Sequence, residues 1–353
     1  MIRHLDRADK IALAVFPDII DVRSPSEFAA DHLPGAINLP VLDDVERAQV
    51  GTIYVQQSRL EARKLGAALV ARNIASHLLG GLNSKTSAYE PLIYCWRGGQ
   101  RSAAMATVLD QIGWRPTLLS GGYRTYRRAV SGALKTIGDS IQIVLLGGHT
   151  GTAKTAMLAE VKALGIQTLD LEGLAGHRGS ILGEFVGKVQ PLQKMFESRL
   201  AHELGNLDLS RPVLVEAESS KIGQLNVPEP LWRAMCTAPM IEMYCSTAER
   251  AQYLLNTYRD LTDDPVRLMD VLGRIPERYG RKTLDLWLSL AESGDYQSLA
   301  LQLMETHYDP AYNRWDRNHP HARLAKIGLD NLSNASLTTA AGEILRVFEL
   351  KVA

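Results

Sequence analysis

The chain has 353 residues, of which 46% are hydrophobic and 22% charged, and this length favours two folded domains over one. Lysine plus arginine and aspartate plus glutamate number 39 each, so no global charge draws the chain to nucleic acid or to an anionic membrane. The three cysteines, Cys95, Cys236 and Cys245, form no CxxC or Cys/His cluster, which argues against a disulfide framework and a structural zinc site. Because no apolar run has membrane-spanning length and the N-terminus does not resemble a signal, we expect a cytoplasmic protein with no membrane partner.

Strand and helix patterns alternate through the first 135 residues. Predicted strands cover residues 19–22, 36–39, 91–94 and 117–119, and predicted helices cover about 57–73 and 102–112. Ser24 with Glu27 three residues later is typical of a capping box at the start of another helix. This alternation predicts a parallel sheet with helices on both faces.

The segment 93–102, Ile-Tyr-Cys-Trp-Arg-Gly-Gly-Gln-Arg-Ser, places a cysteine directly after a buried strand. Ligand sites of α/β proteins form at this carboxyl edge of the sheet, so Cys95 is a candidate nucleophile, although a buried structural cysteine is the alternative. Gly98 and Gly99 allow a tight turn whose N–H groups converge, which binds anions and favours the thiolate. The predicted site comprises catalytic Cys95, Arg97 and Arg101 with the loop residues Trp96, Gly98, Gly99 and Gln100.

Segments 21–28 (Asp-Val-Arg-Ser-Pro-Ser-Glu-Phe) and 32–38 (His-Leu-Pro-Gly-Ala-Ile-Asn) resemble the opening signature of rhodanese domains, and 121–123 (Gly-Gly-Tyr) resembles their closing turn. The resemblance implies structural roles for Asp21 and Arg23. From Cys95 to Arg101 the loop spans seven residues, the spacing of cysteine-dependent phosphatases and one longer than is usual in rhodaneses. A wider loop suits a tetrahedral, phosphate-like anion. The phosphatase alternative lacks an acid in the loop, and Tyr94 stands where the phosphatases have histidine.

A polar segment near 135–140 predicts a boundary between domains 1–135 and 140–353. The second region opens with the apolar run 141–146, and further strands are predicted at 166–171, 213–216 and 240–244. Ser246 and Glu249 predict another helix start, and the last hundred residues look mainly helical, with Trp287 and Leu288 on one apolar face.

The segment 147–155, Gly-Gly-His-Thr-Gly-Thr-Ala-Lys-Thr, lies between an apolar strand and a helical pattern, as a Walker A loop does. Backbone amides would bind phosphates, Lys154 would reach the terminal phosphate, and Thr155 would bind Mg²⁺. Ala153 replaces the usual second glycine, and alanine resists positive φ. The phosphate-binding candidates are Gly148, Thr150, Gly151, Thr152, Ala153, Lys154 and Thr155. No adenine-specific signature is visible, so ATP and other diphosphates both remain candidates.

Acidic and basic residues follow two further strands of the second region. Glu216 ends a strand as a Walker B acid would, and Glu218 follows it; their alternative is a solvated strand end. The segment 170–180 is dense in glycine, histidine, arginine and acid. The candidates in these segments are Asp170, Glu172, His177, Arg178, Ser180, Glu216 and Glu218.

Five segments, 95–99, 170–180, 190–197, 216–223 and 307–312, together resemble the tRNA 2-selenouridine synthase family over nearly the whole chain. The resemblance implies an α/β fold: an N-terminal rhodanese-like parallel-sheet domain followed by a P-loop NTPase-like α/β domain with a helical C-terminal part. It also implies a transferase that replaces sulfur by selenium in wobble 2-thiouridine of tRNA. Its co-substrates would be selenophosphate, supplied by a selenophosphate-producing enzyme, and geranyl diphosphate.

We hypothesise that the P-loop, with Lys154 and Thr155 and with Mg²⁺, binds geranyl diphosphate, which alkylates the thiouridine sulfur. Cys95 would then handle selenium, as a selenosulfide, while Arg97 and Arg101 hold the phosphate of the donor. ATP in the P-loop remains the alternative.

The tRNA requires a local basic surface, and the segment 124–128, Arg-Thr-Tyr-Arg-Arg, offers arginines beside an aromatic ring. The tRNA-contact candidates are Arg124, Arg127, Arg128 and Arg199, whose alternative is an ordinary solvated helix face. Two other functions stay open. One is a rhodanese-type sulfurtransferase or cysteine phosphatase coupled to a P-loop NTPase, and the other is a regulatory module that senses anions, against which the intact Cys95 argues.

Overall fold

Short apolar strands build two parallel sheets in the computed structural model, which describes residues 2–275 and 279–351. One compact unit contains Met1–Ala133 with Pro191–Gly205, and the other contains Leu134–Gln190 with Asn206–Ala353. The predicted order of a rhodanese-like sheet domain, a P-loop sheet domain and a helical C-terminal part is confirmed. The division differs from the predicted domains 1–135 and 140–353 at one segment: Pro191–Gly205 belongs to the first unit, although it lies within the range predicted for the second domain.

The first unit contains five parallel strands in the order β1-β5-β4-β2-β3. The strands are β1 (Arg3–Leu5), β2 (Ile19–Asp21), β3 (Ala36–Asn38), β4 (Leu92–Tyr94) and β5 (Thr117–Leu119). The helices are α1 (Lys10–Leu13), α2 (Pro25–Ala30), α3 (Asp44–Gln56), α4 (Arg59–Leu79), α5 (Gln100–Gln111) and α6 (Tyr123–Ser140), whose last residues belong to the second unit. Every residue of β4 is fully buried, so its carboxyl end is firmly placed.

The second unit contains five parallel strands in the order β12-β11-β6-β8-β7 and a two-stranded antiparallel hairpin. The strands are β6 (Ile143–Gly147), β7 (Gln167–Leu169), β8 (Val213–Glu216), β9 (Lys221–Ile222), β10 (Leu225–Asn226), β11 (Met240–Tyr244) and β12 (Arg323–Gly328). Because Leu146 of β6 pairs with Glu216 of β8, the P-loop and this acid leave the sheet side by side.

Helices fill the rest of the chain. They are α7 (Lys154–Ala163), α8 (Leu171–Ala175), α9 (Gln193–Leu204, in the first unit), α10 (Glu229–Thr237), α11 (Thr247–Thr257), α12 (Arg259–Thr262), α13 (Pro265–Gly273), α14 (Arg281–Glu292), α15 (Tyr296–Leu303), α16 (Asp309–Asn318) and α17 (Asn334–Lys351), with a π-helical turn at Met304–Tyr308. Trp287 is fully buried in the core of the C-terminal helices. Within residues 2–275 and 279–351, no helix is both long enough and apolar enough to cross a membrane.

The predicted caps are present, whereas some elements were not predicted. The Glu27 carboxylate accepts the Ser24 N–H at 3.2 Å, and the Ser246 hydroxyl accepts the Glu249 N–H at 3.3 Å. Strands β1 and β12 and helix α3 were missed. Both strands lie at sheet edges and expose several polar side chains, so neither shows the apolar run of a buried strand.

Candidate functional site

The Cys95 loop (residues 95–101) follows β4 and holds the sulfur among hydrogen-bond donors. Cys95 is 3% exposed and lines an open pocket together with Arg97, Arg101 and Lys194. Its Sγ accepts the Gly99 N–H at 3.2 Å and the Ser102 hydroxyl at 3.2 Å. Two hydrogen-bond donors thus point at the sulfur. Because Cys95 lines this pocket, its sulfur lies next to solvent-reachable space, as a reactive cysteine requires.

The glycines of the loop and of the closing turn permit a close approach of two backbone segments. Gly98 has φ +66, and a Cβ there would lie 2.9 Å from the Gly121 nitrogen. A Cβ on Gly122 would lie 2.2 Å from the Cys95 carbonyl oxygen, which accepts the Tyr123 N–H at 2.8 Å. The resemblance of 121–123 to the rhodanese closing turn thus has a physical basis, because this turn supports the Cys95 loop.

The two arginines of the loop differ in environment. Arg97 is exposed, whereas the Arg101 guanidinium donates to the Glu27 carboxylate at 2.8 Å. Burial alone would raise the pKa of Glu27, but the hydrogen bond and charge of Arg101, with help from Arg47, lower it below its ordinary value. Glu27 therefore fixes Arg101 at the wall of the pocket, where an anion would meet it.

A buried acid at the same pocket was not found from the sequence. Asp31 is 1% exposed, accepts the Tyr123 hydroxyl at 2.7 Å, and its Oδ1 has no hydrogen-bond partner among the described residues. Burial raises its pKa despite Tyr123 and the nearby Arg127. Asp21 and Arg23 form a buried ion pair at 2.6 Å, and Arg23 also donates to the Asp31 carbonyl, which is the predicted structural role. The only signal for Asp31 was its place between the two segments of the opening signature, directly before His32.

The basic segment 124–128 is less available to RNA than predicted. Tyr126 is 4% exposed, so its ring cannot stack on a base in this conformation. Arg127 forms an ion pair with Glu197 and donates to Ser198 at 3.1 Å. Arg124, Arg128 and Arg199 are exposed, and their contact with tRNA stays a prediction.

The P-loop (residues 147–155) leaves β6 and enters α7 through Ala153. Ala153 has φ 60 and ψ 32, and among residues 2–275 and 279–351 no other non-glycine residue has a positive φ. The position thus keeps the left-handed conformation that the usual glycine adopts, at a cost of about 1 kcal/mol. Lys154 Nζ donates to the Gly148 carbonyl at 2.9 Å and lies 3.9 Å from a Glu216 oxygen.

Three carboxylates converge beside the P-loop. Oxygens of Glu172, Glu216 and Glu218, here called the carboxylate cluster, lie within 4.8 Å of one another, and the Thr155 hydroxyl is 3.1 Å from Glu216. Burial, then the neighbouring carboxylates, raise the pKa of Glu172 to about 11; burial raises the pKa of Glu216 to about 7, although Lys154 opposes it. Converging hard oxygen donors of this kind fit Mg²⁺, whose charge would relieve their repulsion. Asp170 instead caps α8 by accepting the Gly173 N–H at 2.7 Å.

The glycine-rich segment 176–180 packs directly on this cluster. A Cβ on Gly179 would lie 2.2 Å from a Glu172 oxygen and 2.6 Å from a Glu218 oxygen, so a side chain there would displace these carboxylates. His177 is 4% exposed, and its Nδ1 accepts the Gly179 N–H at 3.1 Å. Burial lowers the pKa of His177. His177 therefore shapes this turn as a neutral ring.

Arg178 and Ser180 contact the helices that follow β11. Arg178 donates to Asp260 at 2.8 Å, and its guanidinium lies over the rings of Phe185 at 4.3 Å and Tyr258 at 4.7 Å. The Ser180 and Tyr258 hydroxyls are 2.7 Å apart. All the second-domain candidates except Asp170 thus either join the carboxylate cluster or position its neighbours, and Asp170 lines the same pocket.

Residues distant in sequence clamp the P-loop. Arg250 donates to the Thr150 carbonyl at 2.9 Å and forms a two-pronged ion pair with Asp309, at 3.0 and 2.5 Å. The Tyr312 hydroxyl accepts the Gly148 N–H at 2.8 Å. These roles were not predicted; the only sequence signal was the family resemblance of the segment 307–312.

Two family models match the chain. The model described as tRNA 2-selenouridine synthase AAA domain matches residues 141–271, and the rhodanese-like domain matches residues 4–129. These ranges correspond to the P-loop sheet and to the sheet that carries Cys95.

Curated relatives named tRNA 2-selenouridine synthase align with most of the chain. The protein of Aeromonas salmonicida is 33% identical over 323 residues, which cover 83% of this chain and 86% of that protein. The protein of Cupriavidus pinatubonensis is 33% identical, covering 83% and 87%. The protein of Bdellovibrio bacteriovorus is 37% identical, covering 63% and 59%.

Proposed function

The chain belongs to the tRNA 2-selenouridine synthase family, and from this premise we propose that it replaces sulfur by selenium in the wobble 2-thiouridine of tRNA. Geranyl diphosphate alkylates the thiouridine sulfur, and selenophosphate then supplies selenium. The observation that carries the proposal is that one chain holds an anion loop with the Cys95 sulfur at its wall and a P-loop beside three carboxylates.

The P-loop carries out the alkylation. The thiouridine sulfur attacks C1 of the geranyl group, a carbon–sulfur bond forms, and the carbon–oxygen bond to diphosphate breaks. Lys154 and the loop amides stabilise the negative charge of the leaving diphosphate. Mg²⁺ held by Thr155 and the carboxylate cluster would supply further charge to the diphosphate. Alkylation makes the C2 sulfur a better leaving group, which gives the second step its substrate.

The Cys95 loop carries out the selenium step. A selenosulfide on Cys95 would require an oxidant or the loss of a reduced phosphorus species, whereas attack of the thiolate at phosphorus requires neither. In that reaction the sulfur–phosphorus bond forms and hydrogen selenide leaves; selenide then displaces the geranylthio group at C2, and water releases phosphate from Cys95. The seven-residue loop and the Ser102 hydroxyl at 3.2 Å from the sulfur support attack on a tetrahedral phosphorus.

The test uses the purified full chain with thiolated tRNA. With geranyl diphosphate and Mg²⁺ alone, we expect the nucleoside to gain the mass of one geranyl group; adding selenophosphate should convert it to 2-selenouridine. Lys154→Ala should lower geranyl transfer by at least ~100-fold through loss of charge stabilisation. Stoichiometric ATP hydrolysis during selenation would instead assign the P-loop to a nucleotide.

A further inference from the structure

Asp31 places a carboxyl group at the Cys95 pocket from outside the Cys95 loop. It lies between α2 and β3, is 1% exposed, and lines the same pocket as Cys95 and Tyr123. The Tyr123 N–H donates to the Cys95 carbonyl at 2.8 Å, and the Tyr123 hydroxyl donates to the Asp31 carboxylate at 2.7 Å. Tyr123 thus holds the backbone of the nucleophile and the side chain of the acid at one site.

The two oxygens of this carboxyl group have different surroundings. Oδ2 accepts the Tyr123 hydroxyl and lies 3.5 Å from Arg127, whereas the buried Oδ1 of Asp31 has no hydrogen-bond partner among the described residues. A buried polar atom without a partner is costly, and a catalytic role is one reason for a protein to keep it. Burial also raises the pKa of Asp31, although Tyr123 and Arg127 oppose the rise, and this favours the protonated form.

The pocket is larger than one phosphate group. Its volume is about 680 Å³, within the range of small-molecule sites. Arg97, Arg101 and Lys194 line the pocket with positive charge, and the exposed Trp96 ring adds an apolar wall. A phosphate held by the Cys95 loop therefore has space beside it for the organic group of an ester.

We propose that the Cys95 loop and Asp31 together hydrolyse phosphate monoesters, an activity that needs neither tRNA nor the P-loop. The Cys95 thiolate attacks phosphorus, the sulfur–phosphorus bond forms, and the ester phosphorus–oxygen bond breaks as Asp31 gives its proton to the leaving oxygen. Asp31 then takes a proton from the water that attacks phosphorus, the sulfur–phosphorus bond breaks, and inorganic phosphate leaves. Selenide is a good leaving group that needs no acid, so this role of Asp31 goes beyond selenium transfer.

Two esters with different leaving groups test the acid. The purified full-length protein receives phenyl phosphate, whose phenolate needs a proton to leave, or 4-nitrophenyl phosphate, whose phenolate leaves readily without one. Asp31→Asn keeps an oxygen for the Tyr123 hydroxyl. It should lower kcat/KM for phenyl phosphate by ~100-fold or more, but that for 4-nitrophenyl phosphate by less than ~10-fold.

Two further variants serve as controls. Cys95→Ala should abolish the hydrolysis of both esters. Asp18 also accepts a tyrosine hydroxyl, from Tyr89 at 2.7 Å, but it does not line the pocket. Asp18→Asn is therefore the matched control and should leave both values of kcat/KM unchanged.

The outcomes separate this proposal from the proposed function. If the wild type makes 2-selenouridine but hydrolyses neither ester, the esterase activity is overturned while the proposed function stands; hydrolysis without selenation gives the reverse result. An equal loss on both esters in Asp31→Asn would mean that Asp31 only supports the loop. Should that variant fail to fold, the wild type decides: a protonating acid keeps kcat/KM for the two esters within ~10-fold, and a larger preference for 4-nitrophenyl phosphate overturns the role of Asp31.

Discussion

At the scale of single residues, the sulfur of Cys95 accepts a hydrogen bond from a hydroxyl seven residues further along the chain. The Ser102 hydroxyl lies 3.2 Å from Sγ, and Ser102 itself is fully buried, so no water can replace the bond easily. A hydrogen bond to a charged group contributes about 1.5–3 kcal/mol. Ser102→Ala should therefore slow selenation by ~10- to 100-fold and leave geranyl transfer unchanged.

The control for Ser102→Ala is Thr107→Ala in the same helix, whose exposed hydroxyl donates to the Ala103 carbonyl instead. Selenophosphate labelled on phosphorus should leave label on Cys95 after rapid acid quenching of the wild type. Selenium rather than phosphorus on Cys95 would contradict attack at phosphorus.

Glu27 makes a pH-dependent contribution to stability. Its pKa is lowered in the folded chain, so its ion pairs with Arg101 and Arg47 stabilise the fold above the ordinary carboxyl pKa of about 4.3 and lose that effect as the pH falls through the folded value. Glu27→Gln should cost ~2 kcal/mol of unfolding free energy at pH 7, and its difference from the wild type should vanish only once the pH is below the lowered pKa of Glu27. Denaturant unfolding across pH measures this.

Glu61→Gln is the comparison for Glu27→Gln, because Glu61 is 58% exposed and pairs with Lys64 within its own helix turn. It should change the unfolding free energy by less than ~0.5 kcal/mol at either pH. An equal loss in both variants, or a loss at Glu27 that persists in acid, would mean that the ion pairs are not the cause.

At the scale of elements, a side chain at Gly179, in the turn after α8, would displace the carboxylate cluster. Gly179 and Gly187 both have positive φ, at +68 and +73, but a Cβ on Gly187 meets nothing within 4 Å, whereas one on Gly179 collides with Glu172 and Glu218. Gly179→Ala should therefore spread the carboxylate cluster, lower geranyl transfer at least ~10-fold and weaken the rise in melting temperature caused by Mg²⁺.

Gly187→Ala provides the control for this turn, because it carries the same backbone strain without the collision. It should retain both geranyl transfer and the Mg²⁺ response. If the two variants behave alike, left-handed strain rather than the carboxylates explains the effect.

Sequence patterns predicted the elements whose burial is one-sided or complete, and the loops that end them. Buried strands such as β4 and β6 are continuous apolar runs, and the Cys95 loop and the P-loop follow them, so the positions of both loops could be predicted directly. Contacts between distant segments could not be predicted from the sequence. No local pattern indicates that Asp309 pairs with Arg250 or that Tyr126 is buried. The proposed roles of the site residues remain predictions that the variants above test.

At the scale of the whole molecule, each unit has its own parallel sheet and its own candidate anion-binding loop at the end of a central buried strand. The first unit recruits Pro191–Gly205 from within the second half of the chain, and Arg127 of α6 forms its ion pair with Glu197 of that segment. Neither unit is thus a simple stretch of sequence, and experiments that separate the two activities are best made with full-length variants.

Separate sites imply that two inactive variants can complement each other. Cys95→Ala should stop at the S-geranyl nucleoside, and Lys154→Ala should fail to make it, because each lacks the group that carries one step. A mixture of the two should produce 2-selenouridine from thiolated tRNA, since the S-geranyl tRNA released by the first variant is the substrate of the second. Mass analysis of nucleosides over time, with pre-geranylated tRNA given to Lys154→Ala as the positive control, measures this.

If Lys154→Ala cannot use pre-geranylated tRNA, the assignment of one step to each loop is wrong. If it can use this tRNA but the mixture stays inactive, the S-geranyl tRNA never leaves the protein that makes it.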